Sequence, residues 1–308
     1  MSSDLQLGLC LDGTKPMAEA VWAAQTAESA GFESVWISDQ VGYRDAVSTA
    51  AAVLGATRRL RVVPMALSPF TRHPMTIAMA IGALAEWAPG RVAVALGMGS
   101  PAALASLGII PNRPAARLRH AAGAVQSWLL GLTPEGMPPL RYRPRSPVPV
   151  YLAATRPGML RAAAHFDGVV LSGGLSPEAI RWSREQVDPP GKTEVVGMIL
   201  VAMPDGARSA DTVLREALAR LIVSPHHQAV LRATEPHLDL APILDAMAAG
   251  DVQLAGRILP AELIRSHGLI LQQQPAEGLA AYRSSGIDLP VLWPVGGVGD
   301  WQWLANLS

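Results

Sequence analysis

The 308-residue chain has one cysteine, three phenylalanines, two lysines and no net charge, with 25 basic residues set against 25 acidic ones. A single cysteine excludes a disulfide-stapled fold, and Cys10, near the end of an apolar run, reads as a small buried hydrophobe rather than a nucleophile. The charge balance argues against a chain-wide nucleic-acid surface, and a 50% hydrophobic composition excludes a disordered chain. No C-x-x-C or H-E-x-x-H occurs, and His226, His227 and His237 lack metal-ligand spacing, so no metal is expected. Nor is there a G-x-S-x-G elbow of the kind a serine hydrolase needs. The longest uncharged stretch, Val92 to Asn112, is broken by Gly97, Gly99, Ser100, Pro101, Ser106, Gly108 and Pro111. It predicts a strand, a loop and a short helix rather than a membrane span. The opening residues carry Asp4 and lack a basic segment ahead of an apolar one, so no signal peptide and a cytoplasmic location are expected.

What is present is an alternation of short apolar, often β-branched runs with turns and helical patterns. Strands are predicted at Leu5 to Leu11, Ser34 to Ser38, Leu60 to Leu67, Arg91 to Leu96, Val148 to Ala154, Gly168 to Ser172, Glu194 to Ala202 and Leu289 to Trp293. Between them, Thr14 is expected to cap a helix that stops at Gly31, Pro74 to open another that stops near Pro89-Gly90, and Ser176-Pro177-Glu178 to start a third. Eight strand-and-helix units, about 38 residues each, predict an α/β chain folded as one (β/α)8 TIM barrel over residues 1–308; about 250 residues plus insertions is usual for that fold. The surplus lies between Met203 and Ser285, where Ala207 to Ser224 and Pro236 to Pro260 look helical and no strong strand appears, giving a helical insertion before the last strand. A doubly wound parallel sheet would give a similar rhythm.

In a parallel barrel the residues just after each strand carry the chemistry. Here they include Asp39-Gln40, Arg72-His73-Pro74, Gly97-Met98-Gly99-Ser100, Ala154-Thr155-Arg156-Pro157-Gly158 and Ser172-Gly173-Gly174. Glycines and small polar groups at these points suit close backbone approach to a polar, phosphorylated cofactor. Gly97 to Ala102 also fits G-x-G-x-x-A, but Arg117 and Arg119 stand where a dinucleotide site needs an acid, which argues against an NAD site. Ser172-Gly173-Gly174 reads either as an anion nest or as a tight strand-to-helix connection. Eight arginines against one acid between Ala46 and Pro134 read either as a field for an anionic ligand or as the composition of a chain that uses arginine in place of lysine.

Taken in order, Ala27 to Asp39, Ser68 to Pro74, Pro89-Gly90-Arg91 leading to Ala95 to Gly99, Pro149 to Ala154 and Asp167 to Leu171 resemble the bacterial luciferase-like superfamily. Within it they are most similar to the coenzyme F420-dependent oxidoreductases related to methylenetetrahydromethanopterin reductase. The resemblance implies a deazaflavin, or in the alternative FMN, across the barrel mouth. It also implies a non-proline cis peptide in the third strand, here Met65-Ala66, and two-electron chemistry supplied by the cofactor. Mapped residue by residue, it places cofactor contacts at Asp39, Met65, Ala66, Gly97, Gly99, Ala154, Arg156, Pro157, Gly158, Ser172, Gly173 and Gly174. Asp39, Gln40 and His73 become the candidate catalytic groups. Where the family frequently has a histidine this chain has Gln40, which can hydrogen-bond but cannot exchange a proton near neutrality, and Ser100-Pro101 replaces a glutamate found in some members. A small organic substrate and a homodimer are further implications. An FMN-dependent monooxygenase using dioxygen and a non-catalytic flavin-binding relative are the alternatives.

Overall fold

The computed structural model describes residues 6–171, 175–187, 193–271, 275–297 and 301–306. Among the described residues nine strands run in chain order: β1 (Gly8–Leu11), β2 (Ser34–Ser38), β3 (Arg61–Met65), β4 (Val94–Leu96), β5 (Val150–Ala153), β6 (Gly168–Leu171), β7 (Glu194–Ala202), β8 (Leu269–Ile270) and β9 (Leu289–Val295). All their pairings are parallel, in the order β3-β2-β1-β9-β7-β6-β5-β4. Parallel bridges Val62–Val92 and Leu67–Leu96 join β3 to β4 and bring the two edges together. The result is the anticipated eight-strand α/β barrel.

Side-chain alternation along the strands explains the closure. Cys10, Trp36, Val63, Met65, Ala93, Ala95, Tyr151, Val170, Val196, Met198, Leu289 and Val291 form one buried cluster. Their alternate neighbours Leu9, Val35, Ile37, Val62, Val94, Leu152 and Val169 belong to a second cluster shared with the surrounding helices. A barrel interior must be filled by alternate residues of every strand while the others meet the helical ring, which accounts for both sets. At the amino end the interior is plugged by Trp36 and Tyr151, packed edge to face with centroids 5.3 Å apart. The Tyr151 hydroxyl donates to Glu194 Oε2 at 2.7 Å, and burial, reinforced by that carboxylate, pushes the phenol well above its ordinary range.

The helices follow the expected signals with three corrections. Ser176 caps Pro177–Glu185 and His73 precedes Pro74–Trp87, as the Pro-at-N1 pattern indicates. Thr14 does not cap the first helix, Met17–Ser29, whose N-cap is Pro16; instead its amide and hydroxyl both donate to Asp12 Oδ1. Between Met203 and Ser285 the two expected helical stretches hold three helices, Ala210–Ile222, Ala241–Ala248 and Val252–Ile258, with Pro225–Thr234 between the stretches and Ala261–Ser266 and Pro275–Arg283 after them. That region also holds β8, a two-residue strand on the far end of β7 that the pattern did not announce. The insertion carries its own apolar cluster around Leu214, Leu218 and Ile243. No helix among the described residues is long and apolar enough to cross a membrane.

Candidate active site at the barrel mouth

At the carboxyl ends of the strands the barrel opens into three adjoining cavities. The first, about 500 Å³, lies over the top layer of interior side chains, with Met65, Ala66, Ala153, Val170, Met198 and Trp293 beneath and Arg156, Arg220 and His226 around it. A second, about 500 Å³, lies between the loops after β2, β3 and β4. The third, about 530 Å³, lies on the β1 and β9 side. Gln40 lines all three; Asp39, Gly99 and Ser100 are shared by the first two, and Arg220, Leu221 and Trp293 by the first and third. Cavities of this size, apolar below and sparsely polar above, suit a ligand of cofactor dimensions.

The shelf beneath the first cavity depends on two small residues. The Met65-Ala66 bond is cis, as the resemblance implies. A Cβ built on Gly97 would lie 2.7 Å from the Ala66 Cβ and 3.3 Å from that of Ala153, so β3, β4 and β5 approach this closely only because residue 97 has no side chain. Gly99 turns out of β4 with φ at 79°, a region that favours glycine.

Asp39 is held rather than free. Arg72 donates from Nε to Asp39 Oδ2 at 3.3 Å and from Nη2 to Oδ1 at 3.1 Å, and its Nη2 also meets Asp45 Oδ2. Asp45 in turn caps the helix Ala46–Ala56 through the Ser48 amide. Burial works to raise the Asp45 carboxyl, but the hydrogen bonds from Arg72 and Ser48 outweigh it and hold the group below the usual carboxylate range. Against its own desolvation, the Arg72 guanidinium is held more firmly protonated by the two carboxylates. One fork thus ties the loops after β2 and β3 to a helix start, the bidentate geometry for which arginine is suited.

Of the residues the sequence pointed to, Asp39, Gln40, Met65, Ala66, Gly97, Gly99, Ala154 and Arg156 line the first cavity. Pro157 and Gly158 do not: they form the first turn of Pro157–Ala162, beside the cavity. His73 lines none of the three cavities. Its Nδ1 accepts the Met75 amide at 3.1 Å and the exposed ring caps Pro74–Trp87, because a histidine before Pro at N1 can satisfy an otherwise orphan amide. Ser172, Gly173 and Gly174 lie outside the described residues. Cys10 is buried with Sγ 3.7 Å from Ser38 Oγ, and burial drives its thiol far above the ordinary value, as expected of a packing residue.

Sequence reasoning missed the contribution of the insertion. Val213, Glu216, Ala217, Arg220 and Leu221, spaced at helical intervals on Ala210–Ile222, all line the third cavity. Ser224 lines the first, together with His226 and His227, which were dismissed above as metal ligands. Burial, and after it the positive field of Arg156, lower the His226 pKa, so a neutral imidazole stands at the mouth near pH 7.

The comparisons agree with this architecture. The chain is 27% identical over 56% of its length to a 5,10-methylenetetrahydromethanopterin reductase of Methanolobus tindarius, of which it covers 55%. It is 30% identical over 68% of its length to an F420-dependent glucose-6-phosphate dehydrogenase of Beutenbergia cavernae, of which it covers 65%. It therefore spans little more than half the length of the reductase it matches. The coenzyme F420-dependent tetrahydromethanopterin reductase of Methanopyrus kandleri shares the fold with a TM-score of 0.80 at 18% identity, over 99% of this chain and 97% of that one. The model of the family described as luciferase-like monooxygenase matches residues 5–289. With that match over nearly all its length, the chain belongs to the luciferase-like family.

Proposed function

We propose that the protein is an oxidoreductase that moves hydride between coenzyme F420 and a small organic substrate. The observation that carries this reading is the apolar shelf of Met65, Ala66, Ala153, Val170 and Met198, kept low by Gly97, under a cavity of about 500 Å³ with Arg156 at its edge. A flat ring with an anionic tail fits such a site. Bound there, the deazaflavin would supply the carbon that gives or takes the hydride, while the protein supplies position, electrostatics and exclusion of water. Met65, Ala66 and Ala153 would carry the ring and Arg156 would face the tail. Asp39, fixed by Arg72, would orient the ring's polar edge from the β2 side, and Gln40 would hydrogen-bond without exchanging a proton. His226, whose imidazole is neutral near pH 7, would accept or return the substrate proton, a role that neither Gln40 nor Ser100 can fill.

The monooxygenase members that give the matched family its description favour a second reading, an FMN-dependent monooxygenase using dioxygen. Fluorescence titration of the purified full chain with each cofactor separates the two. F420 is expected to bind saturably and FMN at least about tenfold more weakly. FMN binding without F420 binding would replace the first reading by the second, and F420 binding without hydride exchange across a broad substrate panel would favour a non-catalytic relative.

We further propose a homodimer through the helices Met17–Ser29, Ala46–Ala56 and Pro74–Trp87. Trp22, Met79 and Trp87 stand 44%, 48% and 59% exposed on this face, and the Trp87 ring lies over Gly55. Light scattering is expected to return twice the chain mass, and the double change Trp22→Glu and Trp87→Glu to return a folded monomer; a wild-type monomer at high concentration removes the proposal.

A further inference from the structure

The second cavity opens off the first through Asp39, Gln40, Gly99 and Ser100, which line both, and the cofactor reading gives it no role. Among the described residues its charged walls are Asp39, Asp45 and Arg72, and these satisfy one another. Arg72 donates to both oxygens of Asp39 and to Oδ2 of Asp45, whose Oδ1 accepts the Ser48 amide. The hydroxyls of Ser68 and Thr71 are turned to the carbonyls of Met98 and Ser68. What is left open to a ligand is apolar. Val41, Tyr43 and Leu107 stand 39%, 51% and 51% exposed, and all three line this one cavity, as do Ala103 and Leu104. Exposed apolar side chains scattered singly are ordinary, but three around one cavity beside an active site mark a binding surface.

We infer that the second cavity takes the apolar body of the substrate, an uncharged molecule whose polar head stays over the shelf of the first cavity. The inference rests on the proposed function in one respect: the first cavity is taken to hold the cofactor. Charge decides the class. Two carboxylates stand against one guanidinium on these walls, so an anionic group would meet an excess of negative charge, and the one cation there is already paired with both acids. An ammonium would find every carboxylate oxygen already accepting an N–H, and would give up its hydration for little in return. A hydrocarbon group loses nothing here and gains the burial of its own surface together with that of Val41, Tyr43 and Leu107. The polar groups where the two cavities meet are the Gln40 amide and the Ser100 hydroxyl, both neutral, which suit a hydroxyl or carbonyl head. A few polar groups beside an apolar wall fix which end of a ligand goes where.

Saturation-transfer NMR on the full chain, with and without F420, tests this with isopropanol, cyclohexanol and hydroxycyclohexanecarboxylate. The first two share a secondary hydroxyl head and differ in their apolar body; the last adds a carboxylate to that body. Cyclohexanol is expected to bind about tenfold more tightly than isopropanol, and the carboxylate to cancel that advantage. Val41→Asp and Leu107→Asp, both at exposed positions of the second cavity, are each expected to remove the advantage, with thermal unfolding confirming that they fold. Ala217→Glu, which puts a charge into the third cavity instead, is expected to leave it intact. Equal binding of the two alcohols, tighter binding of the carboxylate, an advantage that survives both aspartates, or one that is lost in Ala217→Glu would each overturn the inference. Failure of F420 to bind would sink the cofactor reading alone, because the alcohol comparison is also made without it.

Discussion

Replacing Gly168 by alanine is expected to destabilise the fold by about 3 kcal/mol or more, the upper end of what overpacking a core position costs. A Cβ there would lie 2.3 and 2.4 Å from the Tyr151 ring carbons Cδ1 and Cε1 and 2.8 Å from the Glu194 carbonyl oxygen. None of these neighbours can step aside. The ring is 1% exposed, locked edge-on against Trp36 and tethered by its hydroxyl to Glu194, and the carbonyl belongs to β7 beside β6. Tyr151→Phe should not relieve the clash, since the ring atoms in the way remain. The clash lies at the plugged amino end, so the fraction of Gly168→Ala that folds should bind cofactor like the wild type. Urea unfolding measures the loss, and a midpoint equal to that of the wild type would show that the interior yields more than a close-packed barrel should.

The contrast between Gly168 and Gly97 shows what could be read in advance. Both are glycines in or beside strands, and the strands themselves were legible because alternating β-branched runs followed by helical spacing repeat from β1 to β7. Gly97 was also legible as a mouth residue, because it stands at the carboxyl end of its strand. That Gly168 makes room for Tyr151 was not, since the two meet only when β5 and β6 are in register. β8 escaped notice because two residues are too few to show a period, and its pairing is with the far end of β7 alone. The insertion was recognisable as helical, but its chemistry was not. The period places Glu216 and Arg220 on one face of a helix, where an acid four residues before an arginine reads as a solvated pair. Only barrel closure turns that stripe toward Trp293, which lies far along the chain. Asp39 was legible as a mouth residue, whereas its capture by Arg72 depends on the mutual approach of the loops after β2 and β3.

That capture supports the second large effect. Arg72→Met, which keeps length and apolar stem but removes the fork, is expected to weaken F420 binding by about tenfold or more and to lower stability by about 1–3 kcal/mol. Asp39, with its side chain 14% exposed, would lose both of its arginine hydrogen bonds, and Asp45 would keep its helix cap while losing its charge partner. Arg72→Lys should recover only part of the loss, because a single ammonium cannot reproduce two parallel N–H donors to Asp39 while also reaching Asp45. The pH dependence separates this from a generic packing defect. A carboxyl held below its ordinary pKa in the folded state contributes stability that is complete above the unfolded value and is lost as pH falls through the lower folded one. Asp45 is such a group and Arg72 is a principal cause, so the variant should lose stability near neutrality and show less further loss on acidification than the wild type. The two stability profiles would therefore converge toward acid pH. Parallel profiles, displaced equally at every pH, would mean that the loss does not come from the pairing of Arg72 with Asp45, and unchanged F420 affinity would mean that the Asp39 side of the mouth does not touch the cofactor.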